Sequence, residues 1–360
     1  MLLSLPNEIL CLLPDFIDNI ETFTSAAATC RRLRDALNAA PPQTILRLAA
    51  ASAPTFFSPH PHFLVLATAR AASNWALGDA ERVRELRSAL QGGIDGFYQF
   101  CLHRSGLTLA DIRRTHLARF SIINPLSDKI DKMAGRQWYS TPDFWDGGVS
   151  EAYTIQTEAD RATFQLLIYG EMFASTMEAF LEPERGLPFH DLTTRLTYIT
   201  YCLPDWSCRS YSGFDVLPTG PYADGDPPEG DQVAFHHILS CWRWECLWGD
   251  AIRSLLFENP ASFPQRGRNE EEHEWQKLLR DALQVQGLEG MQLVTLPKEQ
   301  ISPAVLERAM AIKARVRQIP CPPAVTTFGR RRILTVSSDA PDPAREVRVC
   351  CAFHWGMGRV

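Results

Sequence analysis

The stretch from Leu5 to Leu37 constrains this chain more than any other, because it carries more apolar side chains than a short helical pair can hide. Leu5-Pro6-Asn7-Glu8-Ile9-Leu10 opens a helix. Pro6 suits the first helical position, where a missing N–H is no loss, and Glu8 lies in the first turn, where the helix dipole favours a carboxylate. At about 100° per residue, Leu12, Phe16, Ile9, Leu13, Ile17 and Leu10 spread over an arc of roughly 160°. A helix resting on one neighbour needs a stripe of only about 100°. The surplus predicts two contact surfaces, one for the chain itself and one for another polypeptide.

Asp18-Asn19 reads as a turn, and Glu21-Thr22 as the start of a second helix running to about Leu37. Phe23, Ala26, Cys30, Leu33 and Leu37 follow 3/4 spacing and form its apolar seam. Ala26, Ala27 and Ala28 are small enough for another helix to approach closely, while Arg31, Arg32 and Arg34 fall largely outside the seam. Residues 38–42 break the pattern, and Thr44-Ile45-Leu46-Arg47-Leu48 begins a further helical piece. Segments this short seldom build a sufficient core alone. This one must dock on the rest of the chain, on a partner, or on both.

Leu5-Pro6-x-Glu8-Ile9-Leu10, the apolar Leu13 and Ile17, and then Cys30-Arg31-x-Leu33-Arg34 resemble an F-box. In that family a three-helix motif binds the Skp-type adaptor of a cullin–RING ubiquitin ligase. The resemblance implies that Leu5, Pro6, Ile9, Leu10 and Leu13 face the adaptor, joined by Phe16, Ile17, Cys30 and Leu33. Phe23, Cys30 and Leu33 would also hold the motif together. One departure from the pattern is Pro14, which deletes a backbone hydrogen bond and should kink the first helix before Phe16 and Ile17. An ordinary helical hairpin opening an all-helical domain would carry a similar pattern. Further on, Phe63-Leu64-Val65, Arg119-Phe120-Ser121 with Asn124-Pro125-Leu126, and Phe144-Trp145-Asp146-Gly147-Gly148-Val149-Ser150-Glu151 resemble the F-box proteins that filamentous fungi carry in large numbers.

Composition sets outer limits. With 360 residues, 45% hydrophobic and 22% charged, the chain reads as globular. A net charge of −6 speaks against a nucleic-acid binder, which normally shows a basic excess. The ten cysteines, with no secretion signal in view, point to thiols in a reducing compartment, and hence to cytoplasm or nucleus. The uncharged run from Leu48 to Ala69 contains Pro54, Pro59, Pro61, His60 and His62, so no membrane span is expected.

The expected fold is all-α: an F-box over residues 1–47, an irregular antiparallel helical domain over 48–319, and a poorly ordered tail over 320–360. Asp79 should cap a helix that stops at Gly92-Gly93, Ile94 to His103 should form the next, and Thr108 or Asp111 should start another. Asn124-Pro125 reads as a cap followed by proline at the first helical position. A long helix from about Glu158 to Leu181 should bury a stripe of Ala162, Leu166, Tyr169, Phe173, Met177 and Phe180. Helices are also expected over 191–203, from Asp231 past Leu255, from Asn269 past Leu283, and from Ser302 to Ile319, with a long loop between Pro204 and Gly230.

Chemistry is sparse. No G-x-S-x-G elbow, H-E-x-x-H pair, phosphate-cradling glycine loop or dinucleotide fingerprint occurs, so no enzyme activity and no cofactor are expected. Cys202, Cys208, His236, His237, Cys241 and Cys246 are zinc-type ligands at spacings that fit a zinc site badly. Trp138, Tyr139, Phe144 and Trp145 crowd into one loop, which either plugs the core or lines a substrate or ligand surface. The expected function is substrate recognition within a Skp–cullin–F-box ligase, with an unknown protein as substrate. The alternatives are an F-box interaction protein outside a ligase, or a small-ligand binder centred on the aromatic loop.

Overall fold

The computed structural model describes residues 5–52, 57, 59–134, 159–202, 242–257 and 270–318. Among these residues every regular element is helical, so the mainly-α fold holds. The chain divides into two compact units, Met1–Leu117 and Ala118–Val360. The boundary expected at residue 47 falls inside a continuous helix, Pro42–Ala51, whose Leu46, Leu48 and Ala49 are all buried.

In the first unit, α1 is only Asn7–Leu10 and is followed by a single 3-10 turn, Leu13–Phe16. The reason lies at Pro14. Its ring would collide with the carbonyl four residues back, that of Leu10, and it has no N–H to offer that carbonyl. The chain therefore leaves α-geometry at Cys11, and Pro14 is buried in the first turn of the 3-10 segment, where a missing N–H is harmless. The expected kinked helix is instead two short pieces, and the single wheel through Ile17 does not apply.

The second helix is also divided. Helix α2 spans Ile20–Thr29 and α3 spans Arg31–Asn38, with Cys30 between them in extended conformation (φ −156°, ψ 162°). Asn19 caps α2 by accepting the Thr22 N–H at 2.8 Å. In its last turn Thr29 donates its hydroxyl to the Ala26 carbonyl at 2.7 Å. The break lets α3 pack against both α2 and α1, and α4 (Pro42–Ala51) packs on α2. Helices α5 (His62–Ala76), α6 (Ala80–Gln91) and α7 (Gly93–Arg104) pack on one another, and α8 (Leu109–Ala118) follows. Asp79 caps α6 through the Glu81 and Arg82 N–H groups, both at 2.9 Å. Thr108 and Asp111 form a reciprocal capping pair at the start of α8.

In the second unit, a π-helical turn, Arg119–Ile123, leads into α9, Asn124–Ala134. Asn124 is helical itself and donates its N–H to the Arg119 carbonyl, so it is not the cap that the Asn-Pro pair predicts. The widened turn accommodates Pro125, which cannot donate to the ladder. Helix α10, Ala159–Leu181, is buried around nearly its whole circumference rather than along one stripe: Thr163, Phe164, Gln165, Leu167, Ile168 and Met172 join the expected residues. It packs against α9 and is the central element of this unit. The other helices of this unit are α11 (Leu192–Cys202), α12 (Trp242–Leu256), α13 (Glu270–Gln284), α14 (Leu288–Thr295) and α15 (Pro303–Gln318), of which α14 and α15 pack directly on α10.

Helix α14 has no counterpart in the sequence analysis. Gly287 turns into it with φ +63°, and Gly170 of α10 packs so closely there that a Cβ would lie 2.4 Å from the Gly287 nitrogen. Buried Glu171 accepts the Leu288 N–H at 3.0 Å, closing the start of the helix with a carboxylate from α10.

Candidate docking surface on the N-terminal hairpin

The structure sorts the sequence-derived residues into an inner and an outer group. Leu10 (0% exposed), Leu33 (6%) and Ala36 form a small core, with Leu5, Leu13 and Cys30 packed against it. Leu10 and Leu33 are therefore internal supports of the hairpin, buried in the isolated chain. Leu10 closes α1, which packs against α3. Leu5, Leu13, Ile17 and Cys30 are half-buried, each leaving part of its side chain at the surface.

The outer group is Pro6, Ile9, Leu12 and Phe16. Ile9 is 46% exposed, Leu12 50% and Phe16 80%. Among the described residues only six large apolar side chains are exposed, and three of them lie within residues 9–16. Single exposed apolar residues are ordinary, so three within eight positions make this segment the candidate docking surface. Burying these three against a partner contributes on the order of 3–6 kcal/mol. Glu8, Asp15 and Asp18 in the same segment, and Arg31, Arg32 and Arg34 on α3, are exposed as well.

Sequence reasoning left Leu12 out of its candidate residues, although the apolar run already contained it. It also missed two arginines. Arg32 donates from Nη2 to the Leu5 carbonyl at 2.7 Å, and Arg47 donates from Nη2 to the Pro14 carbonyl at 2.9 Å. Neither has a local signal, since the partners lie 27 and 33 residues away.

The remaining candidates are more limited. Trp138, Tyr139, Phe144 and Trp145 lie outside the described residues, as do the loop 204–230, the tail 320–360, and Cys208, His236, His237 and Cys241. Cys202 is buried and Cys246 half-buried. Among the described residues no group of three His, Cys, Asp or Glu side chains gathers to hold a metal ion. No described helix is long and apolar enough to cross a membrane. No family model, curated protein or solved structure matches this chain.

Proposed function

We propose that this chain is the substrate-recognition subunit of a Skp–cullin–F-box ubiquitin ligase, docking on the Skp-type adaptor through the surface at Ile9, Leu12 and Phe16. The observation that carries the reading is the coincidence of two independent features at one place. The Leu5-Pro6-x-Glu8-Ile9-Leu10 and Cys30-Arg31-x-Leu33-Arg34 phrases resemble the F-box, and the same segment leaves three large apolar side chains in water. The inner group keeps the hairpin folded, and the outer group meets the adaptor. The helices beyond α4 would carry the substrate. Such a subunit does no bond chemistry; it raises the effective concentration of substrate lysines near the charged conjugating enzyme.

The test is co-purification of the full-length chain with a Skp-type adaptor and a cullin. Capture of both supports the ligase subunit, and loss of both in Ile9→Asp assigns the contact to this face. Adaptor without cullin would indicate an interaction protein working outside a ligase. Absence of the adaptor contradicts the proposal.

A further inference from the structure

The docking face is built on chain with little regular structure of its own. Helix α1 is one turn long, and the next segment is a single 3-10 turn whose closing bond, Ile17 N–H to the Pro14 carbonyl, is stretched to 3.4 Å. A weak turn does not hold a side chain as exposed as Phe16 in one place. Arg47 supplies what the turn lacks. Its guanidinium reaches from α4 to donate from Nη2 to the Pro14 carbonyl at 2.9 Å and from Nη1 to the Ile17 carbonyl at 3.3 Å. Those two carbonyls bracket Phe16. The base of Arg47 is fixed, because its neighbours Leu46 and Leu48 are buried in the core. A planar fork that spans two acceptors is a property of arginine and not of lysine.

Resting on the docking reading above, we propose that Arg47 is a positioning residue of the docking face. It locks the Pro14–Ile17 turn so that Phe16 is already presented in its binding conformation. A face that is competent only part of the time binds more weakly by that fraction. Arg47 therefore acts on affinity by holding the turn that carries Phe16.

The experiment is titration of purified Skp-type adaptor into the full-length chain, with thermal melts alongside, for the wild type, Arg47→Ala, Arg47→Lys, Phe16→Ala and Arg47→Ala/Phe16→Ala. Arg47→Ala is expected to weaken binding about tenfold, with Arg47→Lys restoring only part of the loss. In the Phe16→Ala background the same change should weaken binding less than about twofold, because the side chain it positions is gone. A merely structural role would produce similar losses in both backgrounds, and that result overturns the inference. So does full affinity in Arg47→Ala while Phe16→Ala still binds poorly, an outcome that leaves the docking reading standing. A wild-type chain that does not bind the adaptor removes the docking reading itself. Should Arg47→Ala melt early, Arg47→Lys in both backgrounds decides by the same comparison.

Discussion

At the scale of single residues, Leu10 and Phe16 belong to one short apolar run yet have opposite surroundings, and they should respond differently to truncation. Leu10 is fully enclosed by its own hairpin. Leu10→Ala should cost about 2–5 kcal/mol in urea denaturation, through lost contacts and the cavity left behind. Phe16→Ala should change stability by less than about 0.5 kcal/mol, since the ring is already in water. The cysteines divide in the same way. Burial pushes the Cys101 thiol up to about 12, with a hydrogen bond to Thr68 pulling weakly the other way. The reactive species is the thiolate, so at pH 8 an alkylating reagent should label exposed Cys11 in the native chain and reach Cys101 only in denaturant. Mass mapping of the labelled peptides checks this. The sign of the linkage follows: Cys101 releases its proton more readily when unfolded. Its contribution to stability is therefore complete below the ordinary value of 9.0 and is lost as pH rises toward about 12. Burial raises Tyr98 and Tyr198 in the same direction.

At the scale of elements, helix starts were legible wherever a side chain beside the helix closes it. Asp79, Thr108 and Asp191 cap where a short polar residue precedes an apolar period, and Asp191 accepts the Thr194 N–H at 2.8 Å. Interruptions were less legible. The sequence predicts a kink at Pro14 where the helix in fact stops, because the apolar period continues through it and conceals that the carbonyl of Leu10 has lost its donor. Cys30 lies on the seam expected of one helix, yet its extended backbone divides that helix in two. Helix α14 was illegible because its N-terminus depends on Glu171, 117 residues earlier in the chain. That junction offers a sharp test. In Gly170→Ala the new methyl would meet the Gly287 backbone, and in Gly287→Ala it would lie 2.3 Å from the Glu171 carboxylate on a residue with φ +63°. Each should cost about 1–3 kcal/mol by denaturant titration, against about 1 kcal/mol for loss of the Asp79 cap in Asp79→Ala.

At the scale of the whole molecule, the all-α class followed from periodicity, but the division into units did not. The first unit extends the hairpin with α4–α8, and the second centres on α10. A helix with apolar residues on most of its faces is buried on most of its faces. Ala162, Leu166, Tyr169, Phe173, Met177 and Phe180 described one side of α10, and the polar Thr163, Gln165 and Thr176, all enclosed, concealed the others. The candidate site was legible as a place and only partly as residues: the surplus of apolar side chains marked the hairpin, and three-dimensional packing then decided which of them remain outside. The central claim is that Ile9, Leu12 and Phe16 are left for an adaptor to cover. Its most direct test is calorimetric titration of a purified Skp-type adaptor into the full-length chain, beside Leu12→Asp/Phe16→Asp and a control at exposed Met310, Met310→Asp. The account predicts binding at micromolar affinity or tighter for the wild type and the control, about −8 kcal/mol or stronger, and at least about a hundredfold loss in the double variant. No heat of binding from the wild type, or equal affinity in the double variant, would contradict it.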